Sequence, residues 1–215
     1  DLLTQIPLVR ELVEAYGIPV IEVPDFEADD VIATLVASVP ADVSVTIVST
    51  DKDLMQLVSD RVVLADGVKD RRYGPAEVEE RFGVSPESML DFRALVGDPS
   101  DNIPGVKGIG EKGAAKLIEE WGSLDHLLDH VGEVNPKRAR TALEQYAEDA
   151  RLSRELAVLR TDVPLPVPVE ELAFQDPDVE PLRELFRRLG FTRLLDSLES
   201  PAGAAGKPEP TLSDD

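Results

Sequence analysis

The sequence contains no cysteine. Disulfides and thiolate metal sites are therefore excluded, and a reducing compartment fits. Histidine is nearly as scarce, with only His126 and His130 present. Both fall in a later helical stretch and read as surface residues. A metal held by this chain would have to be held mainly by oxygen. No apolar run approaches the length needed to span a bilayer, and no basic-plus-apolar leader is visible. Membrane partners are accordingly not expected.

Cations are in short supply as well. There are 22 Lys and Arg against 43 Asp and Glu, for a net charge of −21. Taken alone, that balance argues against a nucleic-acid partner, whose footprint is usually a basic patch. Net charge governs solubility rather than fold, and clustered charge matters more than the sum. At 42% hydrophobic, the 215 residues can bury a core and fit one large domain or two small ones.

Helical spacing begins at once, with Leu2, Leu3, Ile6, Leu8, Val9, Leu12 and Val13. A chain that opens with Asp1 inside an amphipathic helix is expected to be preceded by more sequence. The first helix should end near Tyr16, with Gly17 as the stop. Ile18 to Val23 is a β-rich run. A helix is expected from near Glu27. Ser44 to Ser49 reads as a strand buried on both faces, as in parallel sheets. A short helix over Asp51 to Val58 and a strand over Val62 to Ala65 follow. This alternation predicts an α/β sheet with right-handed crossovers. After Gly74 the pattern turns helical. Pro75 opens one helix, as proline at the first position should, and Ser85-Pro86 opens another that runs to about Val96. Further helices are expected over 111–120, 123–130, 136–146, 148–159, 180–189 and 191–198. Pro164, Pro166 and Pro168 favour an extended segment. Residues 200–215 are small, polar and proline-rich, and read as a disordered tail or linker.

Acids gather at element ends. Glu27, Asp29 and Asp30 sit where a helix begins, and first-turn acids or caps would explain one or two of them. Asp51 and Asp53 follow the strand directly, beyond the carboxyl end where ligands of open α/β sheets bind. An N-cap competes for Asp51, and a solvated helix face for Asp53. Asp98 and Asp101 lie in GDPSDN, where turn chemistry competes. Singly, each cluster suits its bland explanation. Together they are like charges that need a compensating cation. Hard oxygen ligands point to Mg²⁺ or Mn²⁺ rather than zinc.

Gly105-Val106-Lys107-Gly108-Ile109-Gly110 then feeds a helix carrying Lys112 and Lys116. Glycines let backbone approach a phosphate, and a helix amino end supplies N–H donors. The stretch 105–118 carries a local charge of +2 inside a very acidic chain. A dinucleotide fingerprint would need a preceding strand, and a proline-containing loop stands there instead. A helix–hairpin–helix gripping a nucleic-acid backbone fits better than a bare interhelical turn.

FEADDVIATL, VSTDKDLMQLV, RALVGDPSDNIPGVKGIGEKGAAKLIEEWGSLDHLL and LRTDVPLP resemble the 5′ nuclease (5′–3′ exonuclease) domain of bacterial DNA polymerase I and the wider flap endonuclease family. The likeness runs in order from about residue 1 to 198. It implies a PIN-like parallel sheet over 1–97, incomplete at its amino end, and an all-helical, DNA-binding helix-three-turn-helix region over 98–199. It implies two-metal, Mg²⁺- or Mn²⁺-dependent cleavage of DNA at 5′ flaps and 5′ ends, for replication and repair. By resemblance, Glu27, Asp29, Asp51, Asp53, Asp98 and Asp101 are catalytic metal ligands, with Asp30 a ligand or close support. Gly105, Val106, Lys107, Gly108, Ile109, Gly110, Lys112 and Lys116 would hold duplex DNA, with K⁺ at the hairpin in some members. A monomeric, cytoplasmic, nucleoid-associated bacterial protein follows, with polymerase modules in its full-length form. Two departures stand out. The family's first strand, a second acidic motif and the basic helical arch would precede this chain. Gly113 also stands where the family often has Thr, at roughly 1 kcal/mol of helix propensity. Two other readings remain open: a non-catalytic duplex-binding fragment, and a PIN-type RNase, which would lack the glycine hairpin.

Overall fold

A computed structural model describes residues 2–199. The tail or linker expected over 200–215 lies outside them. Residues 23–165 form one compact unit, and 2–22 with 166–199 form another.

In the larger unit, helix α2 (Ala28–Ser38) leads to strand β1 (Val45–Val48), a 3-10 helix (Asp53–Leu57), β2 (Val62–Asp66) and β3 (Arg71–Tyr73). The strand order is β1-β2-β3. The expected parallel pairing joins β1 to β2, with Val45 opposite Val62. β3 runs antiparallel to β2, so the sheet is mixed. Nothing in Arg71-Arg72-Tyr73 alternates between polar and apolar, so these residues carry no strand signal of their own.

β1 is also less buried than its sequence suggests. Ile47 is buried, whereas Val48 is 75% exposed. Among the described residues β1 pairs with β2 alone, and successive side chains alternate between faces, so Ile47 is covered while Val48 is not. The stretch over Asp51 to Val58 winds as a tighter 3-10 turn, with Leu54 and Met55 buried.

The remainder of this unit is helical: α3 (Pro75–Phe82), α4 (Met89–Val96), α5 (Glu111–Trp121), α6 (Leu124–Asp129) and α7 (Lys137–Ala157). α3 begins at Pro75, and Glu77 accepts the Gly74 N–H at 2.9 Å. α6 is capped by Ser123, whose hydroxyl accepts from the His126 N–H. α4 is the hub. Met89, Phe92, Ala94 and Leu95 are buried in one core with Leu117, Leu124 and Leu143. The two helices expected over 136–159 are one helix broken at Tyr146, whose φ of −119° is not helical. His126 and His130 are exposed, as expected.

In the smaller unit, α1 (Leu2–Ala15), α8 (Val179–Leu189) and α9 (Thr192–Glu199) pack around Ala15, Leu182 and Phe186. The leading apolar residues of α1 do not share that core: Leu2 and Leu3 are 73% exposed. Ile18 to Val23 forms no strand, because no described strand lies alongside to complete a ladder.

Gly113 lies inside α5 with helical backbone. A Cβ there would meet only the Ile109 Cγ2 at 3.6 Å, an ordinary contact. Gly113→Ala is therefore expected to stabilise the chain by about 0.5–1 kcal/mol. A urea midpoint at or below that of the parent would contradict this.

Candidate active site and nucleic-acid interface

Three elements bring the acids together. The break after Phe26 aims Glu27 at the mouth of a cleft, and α2 carries Asp29 and Asp30 on its first turn. The carboxyl end of β1 delivers Asp51 and Asp53. The loop after α4 brings Asp101. A cleft of about 630 Å³ is lined by Glu27, Asp29, Asp30, Asp51, Asp53 and Asp101, with Leu156–Arg160 along one side. Asp98 does not line it.

Hydrogen bonds separate capping from other roles. Glu27 sits at the cap position of α2, yet its side chain makes no capping bond. Asp51 does serve the backbone, accepting the Asp53 N–H at 2.9 Å. Asp30 accepts the Arg160 N–H at 2.9 Å, which ties α2 to the segment after α7. Thr34 holds the same segment, donating to the Arg160 carbonyl at 3.3 Å and accepting the Val163 N–H at 3.2 Å.

Asp98 is joined to the cleft through Arg93, the first residue of the RALVGDPSDN stretch but one assigned no site role from the sequence. Arg93 is 7% exposed on α4. It pairs with Asp53 on one side and with Asp98, at 3.0 Å, on the other. Its Nε is buried with no partner. Asp98 also accepts the Ser100 N–H at 2.8 Å and the Ser100 hydroxyl. The turn chemistry that competed for Asp98 is thus present. Its hydrogen bonds to Ser100, helped by Arg93, hold its carboxyl down to about 2. An arginine five residues before an Asp, inside an otherwise apolar helical turn, was the available signal.

The cleft raises other carboxyls. Burial pushes Asp29 up to about 6, and the charges of Asp51, Asp53, Glu27 and Asp30 add to it. Burial likewise lifts Asp53 to about 6, against the pull of Arg93. Among the described residues, no three acidic or histidine side chains converge tightly enough to close a shell around one ion. The carboxylates ring an open cleft instead. Their chemistry fits a hard divalent cation: all donors are oxygen, and their mutual repulsion is what such a charge relieves.

Asp29 carries a stability consequence. Its folded-state value, about 6, lies above the ordinary 3.8. The folded chain therefore holds a proton that the unfolded chain releases between those values. Stability falls as pH rises through that window, and the penalty is complete above it. Asp29→Asn should stabilise the chain in EDTA by about 1 kcal/mol at roughly pH 8, allowing for partial exposure. The gain should shrink as pH falls and vanish at about pH 3 and below, where both states are protonated. Urea titration of the two proteins at both pH values checks it, and an Asn variant no more stable than its parent at the higher pH refutes it.

The glycine hairpin divides into an inner and an outer part. Gly105, Val106 and Ile109 are buried. Their N–H groups are used inside the fold, by the Ser153 hydroxyl at 2.8 Å, the Leu95 carbonyl at 2.8 Å and the Val106 carbonyl at 3.0 Å. Lys107, Gly108, Gly110, Lys112 and Lys116 are exposed. Gly108 has φ of +97° and open space before it, so its backbone can be approached closely. Gly108, Gly110, Lys112 and Lys116 border a groove of about 610 Å³ floored by Ile109 and Leu117.

An acidic cleft past a strand end, sharing a compact unit with a lysine-flanked hairpin, defines a nuclease-like class of site. Comparison with known proteins agrees. Residues 1–83 match the profile of the 5′–3′ exonuclease N-terminal resolvase-like domain, and 84–180 that of the 5′–3′ exonuclease C-terminal SAM fold. The chain belongs to the 5′–3′ exonuclease family. It is 46% identical to a thermostable DNA polymerase I of Thermus thermophilus over 98% of its own length and 25% of that protein. To DNA polymerase I of Bacillus caldotenax it is 40% identical, over 97% of the chain and 24% of the relative. The chain thus spans about a quarter of these relatives. The bacteriophage T5 D15 flap endonuclease, solved as a pseudo-enzyme-product complex with DNA and metal ions, is similar in structure. Its TM-score is 0.61 at 25% identity, covering 77% of this chain and 60% of that one.

Proposed function

We propose that this chain is the structure-specific 5′ nuclease module of a DNA polymerase I, hydrolysing DNA phosphodiesters at 5′ flaps and 5′ ends. The observation that supports this most is the cleft in which acids of three separate sequence clusters are gathered beyond the end of β1. Glu27, Asp29, Asp51, Asp53 and Asp101 would hold Mg²⁺ or Mn²⁺, two ions in all, with Asp30 in support. Asp98 contributes through Arg93, which fixes Asp53. Bound there, such ions supply an activated water and charge stabilisation at the leaving oxygen. No side chain need act as a covalent nucleophile.

The exposed hairpin residues Lys107, Gly108, Gly110, Lys112 and Lys116 would hold the duplex backbone. Such contacts set register and carry no sequence information. Gly105, Val106 and Ile109 support that surface from within. Functionally, residues 1–97 supply most of the acidic cleft and 98–199 the duplex grip. The chain acts as a monomer, with K⁺ at the hairpin as a further candidate ligand and polymerase modules in the full-length protein.

The test is cleavage of 5′-flap DNA, blunt duplex and single-stranded RNA, by this chain and by the full-length protein, in Mg²⁺ and in EDTA. Flap cleavage in Mg²⁺ only, by at least the full-length protein, is expected. Cleavage of RNA in preference to flap DNA, or no cleavage by either protein, contradicts the proposal.

A further inference from the structure

We infer that the duplex-binding surface has a second wall, set by Arg138 at the start of α7, facing the hairpin lysines across the same groove. The inference rests on the duplex-binding part of the function proposed above.

The groove runs between the amino end of α5 and the amino end of α7. Lys112 and Lys116 border it from α5, and Arg138 with Pro136 borders it from α7. In a chain of net charge −21, about half of the arginines hold a carboxylate. Arg10, Arg93, Arg151, Arg154, Arg160 and Arg188 each hold a carboxylate. Among the described residues, Lys112, Lys116 and Arg138 have no ion-pair partner, nor does Lys137 beside the groove. All four are exposed.

The groove's two acids cancel only part of this charge. Glu111 is drawn to Arg81, at 3.5 Å. Glu120 is the other acid on the lining. The entry into α7 is fixed in turn, because Arg140 donates from Nε to the Val134 carbonyl at 3.0 Å. Arg138 is therefore presented from a rigid helix start, with that helix's free N–H groups beside it.

Two cationic walls over an apolar floor suit a phosphodiester backbone lying along the groove. Lys112 and Lys116 would meet one phosphate and Arg138 the next, and Arg138 can engage two oxygens at once. No base edge is reached, so the contact is indifferent to sequence.

The experiment measures binding of a blunt duplex, without a flap, by the 215-residue chain in EDTA across a salt series. Lys112→Ala, Arg138→Ala and Arg138→Glu are compared with the parent, with urea midpoints as a check on folding. Arg138→Ala should weaken binding roughly threefold or more and reduce the slope of log affinity against log salt by about 0.9. Lys112→Ala should do the same, the double variant should add the two losses, and Arg138→Glu should lose more. Parental affinity and slope in both Arg138 variants, with Lys112→Ala weakened, overturn the second wall and leave the proposed function standing. A parent chain with no affinity for duplex overturns both.

Discussion

Arg93→Ala is expected to lower stability by about 3–5 kcal/mol at neutral pH, the range for removing one partner of a buried ion pair. Among the described residues, Arg93 is the one cation that pairs with both Asp53 and Asp98, and the three side chains are 8%, 16% and 19% exposed. Without it, two carboxylates face each other in a partly dry site. Asp53 already sits at about 6 with Arg93 opposing the rise. The loss should therefore shrink as pH falls and Asp53 takes up a proton. Arg93→Lys should recover only part of the stability, because one ammonium cannot span both carboxylates as the guanidinium fork does. Mg²⁺ should restore part of the remainder in Arg93→Ala by binding the folded chain. Urea denaturation with and without Mg²⁺ measures all of this. A loss below about 1 kcal/mol would mean that Arg93 does not tie the two acid groups together.

Gly105→Ala should have the next largest effect, about 3 kcal/mol, through backbone alone. Gly105 has φ of +61°, and a Cβ there would stand 2.5 Å from the Gly97 nitrogen and 2.6 Å from the Val96 carbonyl oxygen. Gly97 returns the approach: its own Cβ would lie 2.7 Å from the Gly105 nitrogen. The neighbours are main chain, so nothing flexible can yield. Asp98 and Ile103 exchange backbone hydrogen bonds of 2.9 and 2.8 Å next to this contact. Displacing Gly105 should therefore loosen the Asp98 loop and the hairpin together, weakening duplex binding while lowering the urea midpoint. A variant as stable as its parent would show that the two segments can separate freely.

The sequence exposed the parts of this fold governed by local rules. Pro75 placed α3, and the helices expected over 123–130 and 180–189 stand as α6 and α8. The two-helix reading of 136–159 located the break at Tyr146 within a residue. The acid clusters were legible because like charges at element ends have few innocent explanations in combination. What stayed hidden depends on partners distant in sequence. β3 is a strand because β2 lies beside it. Ile18 to Val23 is not one, because no described strand lies beside it. Arg93 looked like one helical residue among apolar ones, and its role exists only because α4 passes between the ends of two loops. The glycine at 105 has a structural reason that the sequence did not reveal. Its glycine suggested close approach to a ligand, and the backbone of Gly97 also approaches it closely.

The measurement that tests the account most directly is Mn²⁺ binding to this chain, followed by the loss of the free-ion paramagnetic resonance signal. The parent is compared with Asp51→Asn, Asp29→Asn and Lys112→Ala. If the carboxylate cleft is the metal site, each Asn substitution should weaken Mn²⁺ binding at least tenfold, and Mg²⁺ should compete for the same sites. Lys112→Ala, on the hairpin groove, should bind Mn²⁺ as the parent does. Parental affinity in both Asn variants would contradict the claim that these acids are gathered to hold a divalent cation.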